Sequence, residues 1–219
     1  CGECVRVCPV GALYEKQGRF QGRGGKLETT RTTCAYCGVG CQLDMCVKDG
    51  KLVKITTPRD GAPLPNRGSL CIKGRFGHDF VHHPERLGMP LIRKDGALTE
   101  TTWEEAFNYV AQKITAIKQA HGADAIAGLA SARCTNEENY LFQKFMRAVI
   151  GTNNVDNCAR MCHAPSGYAL TRVFGGGAAT NGMDDLEEAG CILVWGYNPF
   201  ETHPMLFQHV TAARRRVQS

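Results

Sequence analysis

Four cysteines in the first third of the chain have the spacing of iron–sulfur ligands. A C-x2-C-x3-C motif is followed at long range by a fourth cysteine, so the candidate ligands are Cys34, Cys37, Cys41 and Cys71. Three close thiolates can wrap one face of a [4Fe-4S] cluster only if the backbone turns tightly, which Gly38 and Gly40 permit. A structural zinc site is the alternative, but zinc prefers two paired cysteine or histidine knuckles. The spacing therefore favours a [4Fe-4S] cluster.

A second group of cysteines opens the chain, in the sequence CGECVRVCP. Cys1, Cys4 and Cys8, the last followed by Pro9, match the final three cysteines of the bacterial ferredoxin motif C-x2-C-x2-C-x3-C-P. In two-cluster ferredoxins the proline-linked cysteine binds the other cluster, so Cys1 and Cys4 would share one cluster and Cys8 would serve a second. These residues complete neither cluster, and a zinc ribbon remains the alternative because three cysteines underdetermine the metal.

The composition is typical of a globular metal-binding protein. The chain has 219 residues, 43% of them apolar, and its 12 cysteines cluster at short spacings that favour metal ligation over a disulfide framework. A net charge of +5 is too small and too scattered to indicate nucleic-acid binding, and no run of about 18 apolar residues predicts a membrane span. Because the chain starts at Cys1 inside a motif, we expect the native N-terminus to be missing. The expected location is the cytoplasm.

The elements that position the cysteines begin with a linker between the two groups. Residues 17–26, QGRFQGRGGK, have the composition of an exposed linker and predict a domain boundary near Lys26. Beyond it, apolar runs at 43–47 and 52–55 flank an Asp-Gly turn and predict a β-hairpin. The sequence therefore predicts a ferredoxin-like, cluster-binding remnant at 1–25 and a small [4Fe-4S] domain at 26–90.

Helices and strands alternate in the remaining part, residues 91–219. Two helices are predicted, each starting at a capping-box pair and ending at a glycine. The first runs from Thr102 and Glu105 to Gly122, and the second from Thr135 and Glu138 to Gly151. Apolar runs at 125–130 and 191–196 predict buried strands, and 203–216 predicts a further helix. This order indicates an α/β domain with a parallel sheet. Ligands are expected in the loops after the two predicted strands, because such sheets bind them beyond the carboxyl ends.

Five segments of the sequence together resemble the catalytic subunit of the molybdopterin-dependent formate dehydrogenases. They are TTCAYCGVGC, SLCIKGRFG, TNEENYLFQKFMRAVIGTNN, RMCHAPS and WGYNPFETHP, and the resemblance runs from Thr33 to the end of the chain. It implies the molybdopterin oxidoreductase fold, with 91–219 as an incomplete bis-molybdopterin-binding catalytic domain. It also implies that several hundred further residues follow, among them an arginine that helps orient formate, so the chain alone would be inactive.

The resemblance further implies a role for each matching residue. Cys162 would be the protein ligand of molybdenum or tungsten, which two molybdopterin guanine dinucleotides also bind. His163 would assist proton movement at the metal, and Lys73 would lie between the cluster and one pterin, where its charge aids electron transfer. The residues expected near a guanine dinucleotide are Gly196, Asn198 and Pro199, with Thr180 and Asn181 in a second loop.

The implied reaction converts formate to carbon dioxide, two electrons and a proton. The electrons would pass from the metal through a pterin and past Lys73 to the Cys34 cluster, and then to the clusters of the head. That head resembles family members that deliver electrons to a diaphorase partner for NAD reduction. The expected partners are therefore formate as substrate and an electron-accepting subunit of the flavin- and NAD-binding kind.

Three other functions stay open at this point. A formylmethanofuran dehydrogenase also places cysteine beside histidine at the metal, although the ferredoxin-like head argues against it. Nitrate reductases tend to carry methionine after the ligating cysteine, so His163 disfavours them. A non-catalytic iron–sulfur subunit, resembling the large subunit of respiratory complex I, would keep the fold without the metal site. The presence of Cys162 in RMCHAPS disfavours that last alternative.

Overall fold

The computed structural model describes residues 1–19, 27–58 and 65–218. They form two units: Cys1–Arg86 together with Asn181–Ser219, and Leu87–Thr180. Most of the predicted linker, including the boundary at Lys26, lies outside the described residues. The three predicted domains stay a prediction, since the two units reflect only how the chain packs on itself.

The strands in the described part of the chain form three small sheets. They are β1 (Glu28–Thr33), β2 (Gln42–Lys48), β3 (Lys51–Thr56), β4 (Leu91–Lys94), β5 (Ala97–Glu100), β6 (Gly128–Ala130) and β7 (Val155–Asn157). β1, β2 and β3 form one antiparallel sheet in that order, β4 pairs antiparallel with β5, and β6 pairs parallel with β7. The parallel pair is the part of the predicted parallel sheet that these residues contain.

The α-helices in the described part of the chain are mostly short. They are α1 (Glu3–Val7), α2 (Ile72–Phe76), α3 (Trp103–His121), α4 (Asn136–Lys144), α5 (Ala159–Cys162), α6 (Ala164–Phe174), α7 (Asp185–Glu188), α8 (Pro199–Thr202) and α9 (Pro204–Gln218). A π-helix, Phe145–Ile150, continues α4, and 3-10 turns lie at Asp79–His82 and Ala123–Ala125. No helix among the described residues combines the length and apolar character needed to cross a bilayer.

The predicted hairpin is confirmed as β2 and β3. Asp49 and Gly50 at its turn have φ values of 50° and 74°, which is the left-handed pair that matches the twist of the strands. β1 was not predicted, because ETTRTT contains no apolar residue. It forms by backbone pairing with β2, and the Cys34 amide then donates to the Cys41 carbonyl at 2.8 Å. The third strand thus closes the loop that carries the C-x2-C-x3-C motif.

Helix caps determine where the two long helices of the second unit begin and end. The Thr102 side chain accepts from the Glu105 amide, and α3 ends at Gly122 with φ of 84°, as predicted. The Thr135/Glu138 capping box is also confirmed, and the helix that it starts ends at Gly151. These caps satisfy orphan backbone groups within a few residues, which is why the sequence alone could indicate them.

Two predicted strands differ from the structure. The strand predicted at 125–130 is shortened to β6, because Ala123–Ala125 forms a 3-10 turn after α3. The strand predicted at 191–196 is wrong: these residues belong to none of the sheets in the described part of the chain, and Trp195 is 87% exposed. An apolar run becomes a strand only when another strand pairs with its backbone, and the run itself does not reveal whether one is present.

The core of the first unit centres on cysteines. Its buried residues are Val39, Cys41, Leu43, Ile55, Leu70, Cys71 and Met205, with Cys34 and Cys37 packed against them. Met205 comes from α9, which is the helix predicted at 203–216. The end of the described chain therefore packs on the segment that carries the cluster motif.

Asn66 joins two segments of this core, and we expect its loss to destabilise the first unit. It is 1% exposed, accepts from the Gln42 amide at 3.0 Å, and donates to the carbonyls of Gln42 and Ser69 at 3.2 and 2.7 Å. Asn66→Ala should cost about 1–3 kcal/mol for each backbone group left unsatisfied, measured by urea denaturation. The exposed control Asn108→Ala should stay within about 0.5 kcal/mol of the parent. Equal midpoints for both variants would contradict this role.

Candidate functional site

The four predicted cluster ligands lie together in the first unit. Cys41 and Cys71 are buried, while Cys34 and Cys37 are partly buried and pack against the same core. Three of them come from the loop between β1 and β2, and Cys71 is the N-cap of α2. The long sequence gap before Cys71 is therefore closed by the fold.

The charges of this group show what it can bind. The pKa of Cys41 is raised to about 12, first by burial and then by the nearby thiols of Cys34, Cys37 and Cys71. Burial also raises the pKa of Cys34, and a backbone hydrogen bond from Tyr36, followed by the positive charge of Lys73, opposes this only in part. Four thiolates could coexist here only around cations, and metal binding displaces the thiol protons. The donor set therefore fits a [4Fe-4S] cluster.

Lys73 connects this group to the segment that contains the GYNP motif. The lysine is the second residue of α2, and its Nζ donates to the carbonyl oxygen of Glu201 in α8 at 3.1 Å. Gly196, with φ of 61°, and Asn198 lie just before that helix, which begins at the buried Pro199. The structure thus brings the predicted lysine, the cluster ligands and the GYNP segment into one unit.

The second predicted nucleotide loop is exposed. Thr180 and Asn181 both lie on the surface, and the Asn181 side-chain amide donates to Asp185 at 3.4 Å. The Gly182 amide donates to the same carboxylate at 2.9 Å. The carboxylate thereby fixes the turn into α7, and the roles of Thr180 and Asn181 toward a nucleotide stay predictions.

The cysteines of the head have polar surroundings. Cys1 and Cys4 are exposed on and beside α1, and Cys8 is partly exposed. Backbone hydrogen bonds, the strongest from the Leu13 amide and others from residues 10–12, lower the pKa of the Cys8 thiol. Successive amides that converge on one atom favour an anion. The loop after Cys8 is therefore suited to an anionic sulfur ligand.

Cys162 and His163 lie beyond the carboxyl ends of the parallel pair in the second unit. The Cys158 amide donates to the carbonyl of Ala130, the last residue of β6, at 3.2 Å, and Cys162 follows one helical turn later. Both Cys162 and His163 are exposed. The His163 ring packs over Gly167, where an added Cβ would lie 3.0 Å from two ring atoms.

A cleft that the sequence interpretation missed lies beside the same strand ends. It has a volume of about 450 Å³, and its polar lining includes Asn139, Arg147, Asn157 and Arg160. The side-chain amide of Asn157 donates to the side-chain oxygen of Asn139 at 3.1 Å, and Arg160 pairs with Asp156 at 2.8 Å. Asp156 also lines the cleft and offsets the charge of Arg160, so the two arginines leave one net positive charge, which together with the two side-chain amides can bind an anionic, hydrogen-bonding ligand. The rule that ligands bind beyond strand ends could have indicated this cleft.

Comparison with known proteins gives the family and the cofactors. The Molybdopterin oxidoreductase Fe4S4 domain matches residues 27–83, and the Molybdopterin oxidoreductase domain matches residues 86–218. These domains confirm the predicted α/β class and domain order. They also indicate a [4Fe-4S] cluster and a molybdopterin cofactor with molybdenum or tungsten, as the sequence predicted.

Relatives in several organisms match the chain, and two of the three described here carry formate dehydrogenase names. The F420-dependent formate dehydrogenase 1 subunit alpha of Methanococcus maripaludis is 46% identical over 87% of this chain and 27% of its own length. Probable oxidoreductase YjgC of Bacillus subtilis is 38% identical over 98% of the chain, and a putative formate dehydrogenase of Staphylococcus aureus is 34% identical over the same share. Each of these two alignments covers 26% of the relative. The chain thus spans about a quarter of the curated relatives that it matches.

A solved structure supports the fold. Acetylene hydratase from Pelobacter acetylenicus superposes with a TM-score of 0.59 over 85% of this chain and 26% of its own. At 18% identity this likeness shows the fold alone. With two consecutive domain matches over a cysteine group that fits an iron–sulfur cluster, the chain belongs to the molybdopterin oxidoreductase family.

Proposed function

We propose that this chain is the cofactor-binding front part of a formate dehydrogenase catalytic subunit. The observation that carries the proposal is the position of Cys162 and His163, exposed just beyond the carboxyl ends of β6 and β7. A metal ligand beside a proton carrier at such a site suits removal of a hydrogen together with two electrons. The formate dehydrogenase names of several relatives support the choice of substrate.

The residues of this chain divide the work of the proposed reaction. The Cys162 thiolate would hold the metal, and the His163 imidazole would accept or pass on the proton released as formate becomes carbon dioxide. Molybdenum or tungsten in its molybdopterin cofactor supplies the acceptor for the two electrons. Lys73 would place positive charge beside the Cys34 cluster and favour its reduced form. The GYNP segment and the cleft at Arg147 and Arg160 would bind the anionic nucleotide portions.

The head determines the proposed route for electrons out of the subunit. Relatives named as F420-dependent enzymes align over 86–87% of the chain, whereas YjgC and the staphylococcal proteins align over 98% of it. Those longer alignments include much of the head that contains Cys1, Cys4 and Cys8. We therefore propose that electrons leave through head clusters to a separate acceptor subunit, with an NAD-linked diaphorase as the expected kind.

The proposed function can be tested directly on the full-length protein. Purified from its native host with its partner subunits, it should reduce a viologen dye when formate is added and should contain molybdenum or tungsten beside iron. The co-purifying subunits should include one that binds flavin and reduces NAD. Iron without molybdenum or tungsten, and no formate-dependent reduction, would favour an electron carrier.

A small substitution beneath His163 should separate catalysis from stability. In Gly167→Ala the new Cβ would lie 3.0 Å from ring atoms Cε1 and Nδ1 of His163, so the ring must move by some tenths of an ångström. Alanine should favour helix α6 by up to about 1 kcal/mol, so the unfolding midpoint should not fall. Turnover with formate should fall nonetheless, with metal content unchanged, because the proton carrier is displaced. The exposed control Ser166→Ala should keep full turnover. Unchanged turnover in Gly167→Ala would show that the ring position is unimportant.

A further inference from the structure

The cysteine-rich head contacts the segment that leads into the four-cysteine group. The Glu3 carboxylate lies between Cys1 and Cys4 in sequence, and it accepts from the Leu70 amide and the Ser69 hydroxyl, both at 3.3 Å. These two residues directly precede the cluster ligand Cys71. A head residue thus binds the backbone that leads into the neighbouring site.

Arg75 binds the same carboxylate, at the oxygen that also accepts from the Leu70 amide. Its Nη2 lies 2.8 Å from Glu3 Oε1, and its Nε donates to the Cys1 carbonyl at 3.3 Å. The Arg75 backbone amide donates to the Cys71 carbonyl at 3.0 Å, so one residue contacts both cysteine groups. The arginine is only 4% exposed, so solvent screens this pair far less than a surface pair.

The Arg75–Glu3 pair is tightly packed against the backbone of the head. Gly2 has φ of 80°, and a Cβ there would lie 2.5 Å from the Arg75 side chain and 2.7 Å from the ring of Phe76. The backbone between Cys1 and Glu3 therefore lies flat on α2. The Glu3 carboxylate also accepts from Arg6 Nε, so two arginines and the Leu70 amide hold it in place.

We propose that the buried Arg75–Glu3 pair is a positioning device that fixes the distance between the head cluster bound by Cys1 and Cys4 and the cluster bound by Cys71. The inference rests on the proposed function only in assigning iron–sulfur clusters to both cysteine groups. With both clusters bound, one electron would pass from the reduced four-cysteine cluster to the oxidised head cluster, with no bond made or broken. Arg75 acts through its hydrogen bonds to Glu3 and to the Cys1 carbonyl, and it is a ligand of neither cluster.

The experiment uses the full-length protein reduced by dithionite, so that formate turnover is not needed. Two reduced clusters held close together broaden and split each other's electron paramagnetic resonance signals. In Arg75→Met this splitting should be lost and electron transfer to the head cluster should slow, with the iron content of both clusters unchanged. Arg75→Lys, which keeps the charge but lacks the forked contact, should give an intermediate splitting. The control Arg31→Met, which removes a solvent-exposed partner of Asp44 on the sheet, should keep the parent spectrum.

The outcomes separate the possibilities. Loss of splitting with full iron content supports the positioning role, even if formate oxidation is absent from the parent protein. An unchanged splitting in Arg75→Met overturns the inference. Loss of the four-cysteine cluster itself in both Arg75 variants also overturns it, because the arginine would then support the cage rather than the spacing between clusters.

Discussion

Replacing Cys162 with alanine in the full-length protein should abolish formate oxidation and leave the iron–sulfur clusters in place. Cys162 lies in the second unit, on the helix that follows β7, whereas the four cluster cysteines lie in the first unit. The metal would lose its one proposed protein ligand and the tuning that this ligand provides. Formate-dependent dye reduction and the cluster spectra after dithionite, measured on the same sample, check the result.

Two further variants serve as a control and as a comparison for the loss of activity in Cys162→Ala. Cys134→Ala removes another exposed cysteine from the same unit and should oxidise formate at the parent rate. His163→Ala should keep the metal but turn over about 10²–10⁴-fold more slowly, because general acid–base help is typically of that size. A Cys162 variant with bound metal and the parent rate would remove the catalytic assignment, and with it the proposed formate dehydrogenase activity.

Replacing Cys71 with alanine should have the second large effect, which is loss of the [4Fe-4S] cluster from the four-cysteine group. A cubane with three thiolate ligands would have one iron without a protein ligand. The three remaining thiols are partly or fully buried and already bind the other irons. Iron and sulfide content should fall by the equivalent of one cluster. Formate should then no longer reduce the head clusters, because the electron route is interrupted.

The matched control is Cys46, a buried cysteine on β2. Its sulfur lies 3.9 Å from the hydroxyl oxygens of Thr29 and Thr56, apart from the cluster group, so Cys46→Ala should retain all iron. A normal cluster in Cys71→Ala, or an equal loss of iron in both variants, would refute the ligand assignment. The first result would point to a different fourth ligand, and the second to general damage to the core.

Features carried by a few consecutive residues could be predicted without the structure. The C-x2-C-x3-C spacing, the Asp49-Gly50 turn and the Thr135/Glu138 capping box all act through neighbouring backbone groups. Their physical cause lies inside a window of about ten residues. The hairpin, the long helices and the iron–sulfur motif were therefore readable from residue order.

Features that depend on distant partners were decided only by the tertiary structure. β1 exists because β2 offers it an edge, although ETTRTT has no strand-like alternation, and the apolar run at 191–196 forms no strand among the described residues. The approach of Cys71 to its three partners and the burial of Arg75 against Glu3 likewise join residues dozens of positions apart. The sequence by itself determined which chemistry these residues can perform and where local elements start and end. Only the tertiary structure decided which of those residues come into contact. Backbone pairing and burial each need two segments of the chain, and the sequence of one segment does not specify the segment that packs against it.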